Sequence, residues 1–375
     1  MKLSLCTIVK NEADQLADFL ESIHSAVDEI ILVDTGSTDA TRKIAQRYGC
    51  KIFSFPWIDD FSAARNFSID QASGEWALIL DPDERIAIDD IHQLRQLIIN
   101  NAVGGYRFTI RSYSNFPSER FRWLRCEGEY SEEKDYPVWT SSSQIRLFRR
   151  LSNIRFTGEV YENTDHSFYD NNLILHTSPI PIHHYGLCIE PQCLLARCQE
   201  YIKLGYKKIV SHPYSSQAFF ELASNLFELN EIDASIKLLE VAIDLDASRT
   251  DAHELLGIAY LKKENYSYAL SCFEKAAEQN PYRVEILNHI AGIYLIMDDA
   301  SHALPILERA LFINHRHPET IYHIAHIFHQ KQQTDTALQF VNKLLEISPE
   351  DSRGIILKAH ILASQHEYDT ATLKT

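Results

Sequence analysis

The 375-residue sequence predicts an α/β domain built on a mostly parallel sheet, followed by an all-helical stack of repeats. Three observations carry this expectation. Short apolar runs alternate with amphipathic helical patterns up to about residue 185; the chain changes character between 185 and 215; beyond that, a 34-residue period recurs. The length suits two domains, because a single hydrophobic core stops growing near ~250–300 residues.

Leu3–Val9 reads as a buried strand. It lacks the long apolar stretch and small-residue cleavage site of a signal peptide. Leu16, Phe19, Leu20, Ile23 and Val27 then fall on one helical face, and Glu29–Asp34 returns to a strand. A helix over 40–48 closed by Gly49, a strand over 51–55, a helix over 62–72 before Gly74 and a strand over 76–81 complete the pattern. Near-continuous apolar strands separated by helices indicate a mostly parallel sheet covered on both faces. Ligands bind such sheets at the carboxyl ends of the strands. Asp34 and Asp81 both fall there.

In the second half Ala223, Gly257, Ala291, Ala325 and Ala359 are 34 residues apart, as are Ala269, Ala303, Ala337 and Ala371, with Ser235 one period earlier. Leu226, Tyr260, Tyr294 and Phe328 keep the register, as do Leu239, Phe273, Leu307 and Val341, while Ala242, Ala276 and Ala310 mark a close-packed turn. Pro281 and Pro349 follow helix ends. This is the period of the tetratricopeptide repeat (TPR), whose small residues let paired antiparallel helices approach and whose large ones fill the space between pairs. About four repeats span 216–351, with a partial fifth. The expected organisation is an α/β domain over 1–190, a helical linker over 191–215 and a repeat domain over 216–375.

No window approaches the ~18 apolar residues of a membrane span. The seven cysteines show no C-x-x-C pair, and Cys188, Cys193 and Cys198 group only loosely, as expected of reduced thiols in a cytoplasmic protein. A net charge of −16 argues against nonspecific nucleic-acid binding.

Four features carry chemistry, the last of them two segments. In Asp34-Thr35-Gly36-Ser37-Thr38-Asp39, Gly36 permits a tight turn, the next three residues can cap a helix, and Asp34 can accept hydrogen bonds from a base or ribose. In Asp81-Pro82-Asp83-Glu84, two carboxylates directly after an apolar strand form a hard-oxygen site for Mg²⁺ or Mn²⁺, which would neutralise a diphosphate. Acidic turns are common, so the position at a strand end is what gives this one weight. Arg65 and Asn66 follow a helix start, where Arg65 can hold a base or phosphate. Finally, Gly158-Glu159-Val160-Tyr161-Glu162 and His183-His184-Tyr185-Gly186 offer a carboxylate base and an imidazole ligand. Residues 112–143, rich in Ser, Arg and aromatics such as Tyr113, Phe116, Phe121, Trp123, Tyr130 and Trp139, read as a long connection: a lid or a flexible insertion.

These features, in this order over about 1–190, resemble glycosyltransferase family 2, the inverting enzymes of the GT-A fold. The opening Thr7-Ile8-Val9-Lys10-Asn11-Glu12 and the segments VDTGSTDAT, WIDDFSAARN and GEWALILDPDE match its nucleotide- and metal-binding blocks. With the repeats, the chain looks most like the subgroup that includes sublancin-type peptide S-glycosyltransferases. The resemblance implies a Rossmann-like mixed sheet with helices on both faces. It implies that Thr7, Glu12, Asp34 and Arg65 contact the nucleotide, with Asp34 reading the base. Asp83 would bind Mn²⁺ or Mg²⁺ directly, Asp81 would lie nearer the ribose or a metal-bound water, and His184 would complete the metal site. Glu162 would be the general base and Glu159 its reserve; Tyr161 stands where the subgroup usually has His, and Leu187 where it has an aromatic.

The expected function is non-processive transfer from a nucleotide-diphosphate sugar, by default a UDP-sugar, to a protein or peptide held by the repeats. The alternatives are a lipid-linked or cell-surface saccharide acceptor, with the repeats forming a homodimer, and a non-catalytic scaffold.

Overall fold

Leu3–Val9 forms β1, buried along its whole length at the centre of a computed structural model of the chain. The structure describes residues 1–100, 102–115, 123–187 and 191–372, and the side chains within them except at 191–194 and 365–372. Phe116, Phe121 and Cys188, with the side chains of Cys193 and Ala371, lie outside the described residues. The chain divides into two units, Met1–Pro213 and Tyr214–Thr375.

In the first unit β1 is followed by α1 (Leu16–Ile23), β2 (Glu29–Asp34), α2 (Thr41–Arg47), β3 (Lys51–Ser54), α3 (Phe61–Gln71), β4 (Trp76–Ile79) and β5 (Glu84–Arg85). Then come α4 (Ile91–Leu97), β6 (Gly105–Ser114), β7 (Leu124–Arg125), β8 (Val138–Arg149), α5 (Asp165–Asp170), β9 (Leu175–Thr177), β10 (Ile182–His184) and α6 (Pro191–Ser211). The sheet runs β3-β2-β1-β4-β8-β6-β10-β5. Its first four strands are parallel; β8 is antiparallel to both β4 and β6, and β5 to β10. The sheet is therefore mixed. One face packs on Leu16, Phe19, Leu20 and Ile23 of α1, the other on Ala64 and Ile69 of α3 with Phe156 and Phe168. Among the described residues no helix is long and apolar enough to cross a membrane.

The expected elements of the parallel half are present with ends shifted by a residue or two. Val27 lies past α1, because a short 3-10 turn over His24–Ala26 ends that helix early. Region 112–143 differs more. It is not one connection: β6 runs to Ser114 and β8 starts at Val138, paired over ten residues. Ser141, Ser142, Ser143 and Gln144 of β8 are exposed, so this stretch has no apolar alternation for a sequence reading to find. The described residues between the strands are tied down. The Arg111 guanidinium donates to Glu133 (2.8 Å) and Glu129 (2.7 Å) and lies over the rings of Tyr130 and Trp139.

The second unit stacks α7 (Ser216–Glu228), α8 (Ile232–Leu245), α9 (Thr250–Lys262), α10 (Tyr266–Gln279), α11 (Val284–Ile296), α12 (Ala300–Ile313), α13 (Pro318–Gln330), α14 (Thr334–Ile347) and α15 (Ser352–Thr372). Its packing explains the 34-residue period. Ser235 donates to the Ala223 carbonyl (2.8 Å), and a Cβ at Gly257 would meet the Phe273 ring at 2.8 Å. Only small residues fit where paired helices touch. Ala359 departs from the pattern and is exposed: no second helix of its pair follows α15 among the described residues. The turns share a further period. Asn230, Glu264, Asp298 and Gln332 all adopt φ between 56° and 60°, the left-handed conformation that ends many helices.

Candidate active site

The site grows from the turn that ends β4. The backbone N–H of Asp81 donates to Glu84 Oε2 (2.9 Å), and that of Glu84 donates to the Asp81 carbonyl (2.9 Å). These reciprocal bonds fix the Asp81-Pro82-Asp83 turn and leave both aspartate side chains beyond the strand end. The short pairing of β5 with β10 sets His184 opposite Glu84, and the Tyr185 N–H donates to the Asp83 carbonyl (2.9 Å). A residue a hundred positions away is thereby delivered to the turn. His184 Nε2 lies 3.5 Å from Asp83 Oδ2, and its Nδ1 is 2.8 Å from Ser112 Oγ on β6. Gly186 closes this corner. A Cβ there would stand 2.6 Å from Asp83 Oδ2 and closer still to His184 Nε2, so the backbone can pass only without a side chain.

Burial would push the Asp83 carboxyl up, but the adjacent His184 and the Arg197 guanidinium hold it well below the usual range. The reverse balance applies to His184: burial would lower its pKa, and Asp83 and its neighbouring carboxylates raise it. Glu12, on the loop after β1, is pushed up to about 7 by burial and by the Asp83 charge. Three carboxylates, Glu12, Asp81 and Asp83, thus act on one another at the strand ends. Of the three, Glu12 alone is raised; the neighbouring His184 and guanidiniums hold Asp81 and Asp83 down.

Asp81 has its own partners. Arg65 on α3 is 6% exposed; its Nη2 donates to Asp81 Oδ2 (2.9 Å) and its Nε donates to Glu162. Arg146 on β8, equally buried, donates to Glu84 Oε1 (2.6 Å) and lies 3.6 Å from Asp81. Burial would raise the Asp81 carboxyl; the two guanidiniums outweigh it and lower it. Arg65 is therefore an internal tie between the acidic turn and Glu162.

Asp34 ends β2, two strands from Asp81 across β1, or roughly 10 Å at ordinary strand spacing. It accepts from the Ser37 N–H (3.0 Å) and from Arg42 (2.8 Å). These contacts overcome burial and keep its pKa below the ordinary value. Thr7, within β1, is fully buried, and its hydroxyl has no partner among the described residues. Glu159 is placed elsewhere: Ser211 at the end of α6 donates to its carboxylate (2.9 Å).

The structure thus gathers Glu12, Asp81, Asp83, His184, Arg65 and Glu162, with Asp34 at the neighbouring strand end and Glu159 turned toward the far end of α6. The sequence reading missed the supports: Glu84, Arg146, Ser112, Arg42 and Arg197. Arg146 stood in a strand-like SQIRLFRR whose inward face no single sequence reveals. Arg197 lay on an amphipathic helix where a surface role is the commoner one.

Among the described residues no three His, Cys, Asp or Glu side chains are grouped to hold a metal ion. The Asp83–His184 pair offers one carboxylate and one imidazole 3.5 Å apart. A carboxylate and an imidazole are donors that could hold a divalent cation such as Mn²⁺ or Mg²⁺. The residues fit such an ion as a two-point anchor.

Both parts of the chain have counterparts among known proteins. Residues 4–156 match the family description "Glycosyl transferase family 2", and residues 250–283 and 318–351 match "Tetratricopeptide repeat". A TPR repeat-containing protein of Synechococcus elongatus is 36% identical over 191 residues, 49% of this chain and 42% of that protein. An uncharacterized glycosyltransferase of Rickettsia felis is 36% identical over 86 residues, 23% of this chain and 30% of that protein. The SPbeta prophage-derived glycosyltransferase SunS of Bacillus subtilis is 25% identical over 277 residues, 69% of this chain and 58% of SunS. The chain spans between about a third and three fifths of the length of these curated relatives. It carries a glycosyl transferase family 2 domain followed by tetratricopeptide repeats.

Proposed function

We propose that the chain is an inverting, non-processive glycosyltransferase that moves a sugar from a nucleotide-diphosphate donor, a UDP-sugar by default, to a protein or peptide side chain. The observation that carries the reading is the Asp83–His184 pair at the end of β4, at the strand ends that also bear Asp34 and Glu12. The roughly 10 Å between Asp34 and the acidic turn suits a nucleoside at one strand end and its diphosphate at the other.

In this reading Asp34 and Glu12 border the nucleoside, and Thr7, buried in β1, lies within the strand that leads to Glu12. Asp83 and His184 would hold a divalent cation, Mn²⁺ or Mg²⁺, which would supply charge stabilisation to the departing diphosphate. Arg65 and Arg146 brace Asp81, so the turn keeps its shape when charge shifts. Glu162 takes the acceptor proton. The bond from the anomeric carbon to the β-phosphate oxygen breaks with its electron pair left on that oxygen. A new bond forms from the opposite face, which inverts the configuration. Glu162 is favoured over Glu159 because Arg65 ties it to the turn that bears the metal pair.

The repeats support the acceptor assignment, since stacked helix pairs offer an extended surface suited to a peptide. They include a groove of about 490 Å³ whose lining has His289, His317, His323, His326, Tyr322 and Glu319. A cytoplasmic site of action accords with thiols outside any disulfide at Cys6, Cys50, Cys126 and Cys272.

The test is incubation of the purified chain with Mn²⁺ and single donors (UDP-glucose, UDP-N-acetylglucosamine, UDP-galactose, and their GDP and dTDP counterparts) plus candidate peptides. An intact-mass gain of one hexose or N-acetylhexosamine on the peptide supports the reading. Donor consumption with transfer only to a lipid-linked saccharide would replace the acceptor class, and no donor consumption at all would overturn the enzyme.

A further inference from the structure

The helix expected to be a linker takes part in the site. Two turns into α6, Arg197 Nη1 donates to the Gly186 carbonyl (3.1 Å). Gly186 is itself pressed against Asp83 and His184, so the guanidinium is held at the rim of the metal pair. Farther along the same helix, Tyr201 packs edge-on against Phe61 and Tyr161, and Lys208 donates to the Val160 carbonyl (2.6 Å). The helix is thus fastened along the segment that carries Glu162, and Arg197 does not swing freely.

The charge balance is specific. Arg65 and Arg146 are spent on Asp81 and Glu84, and His184 faces Asp83. Arg197 is the remaining cation whose charge is felt at both Asp83 and Glu12. A guanidinium has five N–H donors in a planar fork. Among the described residues only the Gly186 carbonyl accepts from this one. A carbonyl contact fixes its position without neutralising it, which leaves the fork for an anion. Planar donors of this kind match phosphate oxygens two at a time.

We propose that Arg197 binds the β-phosphate of the nucleotide donor, making α6 a wall of the donor site. This rests on the glycosyltransferase reading above and adds a second positive group for the diphosphate, beside the Asp83–His184 pair. When the sugar leaves, the new charge on the β-phosphate oxygen meets a donor already in place, so no reorganisation is needed at that moment.

The test compares nucleoside diphosphates with monophosphates (UDP with UMP, GDP with GMP, dTDP with dTMP) by titration calorimetry on the full chain with Mn²⁺. R197A is expected to bind the preferred diphosphate about 10- to 100-fold more weakly, with the matching monophosphate changed less than about 3-fold. R197K should recover part of the loss, since it keeps the charge and not the fork. If R197A does not fold, R197Q is read the same way, because it keeps a donor for Gly186 without the charge. Diphosphate affinity equal to the parent's overturns the proposal. So does an equal loss of diphosphate and monophosphate, which would make Arg197 a support for the carboxylates. If the parent itself binds none of the six nucleotides, the glycosyltransferase reading fails first and this one falls with it.

Discussion

Glu12 shows how the site stores unfavourable charge. Burial and the Asp83 carboxylate push its pKa up to about 7, against roughly 4.3 in an unfolded chain. The folded state therefore holds more protons than the unfolded state between these values, and stability falls as pH rises through that window. Glu12→Gln removes the titration. Its melting temperature in chelator should fall less than the parent's between pH 5 and pH 8, as differential scanning fluorimetry would read; parallel curves would show that Glu12 titrates normally. Individual residues were legible where a motif named them: Asp34, Asp81, Asp83 and His184 all stood in quotable strings. Their supports were not. Glu84 and Arg146 act through bonds to Asp81 and to each other, and a pairing across sixty positions leaves no local pattern.

At the scale of elements, periodicity told most where one face of each element is buried. β1, β2 and β4 were readable because every position is enclosed and, apart from Glu29 and Asp34 at the two ends of β2, apolar or small. β5 and β10, which bring Glu84 opposite His184, were not, since strands of two and three residues carry no period. The repeat helices followed from their 34-residue spacing so strongly that Pro305 inside α12 passes without interrupting the pattern. The turns between them carry a cost that spacing alone does not show. Gln332 sits at φ 59°, where a side chain crowds its own backbone. Gln332→Gly should raise stability by up to about 1 kcal/mol, read from urea unfolding of the full chain. A loss of more than that would mean the Gln332 side chain makes a contact that outweighs the strain.

For the whole molecule, the division at Pro213 has a thermodynamic consequence. A ligand of the first unit stabilises only what it binds, by RT ln(1 + [L]/Kd), or about 2.7 kcal/mol at a hundredfold excess over Kd. Calorimetric melting of the chain should show two transitions, and a bound donor with Mn²⁺ should raise only one of them. A single transition that shifts as a whole would mean the units unfold together. The domain sequence was legible because the two halves have different periods, 2 or 3.6 residues in one and 34 in the other; the segment expected as a helical linker forms α6, whose amphipathic pattern is the same whether it links or lines a site. Everything assigned to the first unit returns to the carboxylate that closes β4. The most direct measurement is the rate of donor-sugar consumption by Asp83→Asn at saturating Mn²⁺ and donor. The account predicts a fall on the order of 10²–10³ with the melting temperature of the metal-free protein maintained; a variant that turns over at the parental rate would contradict it.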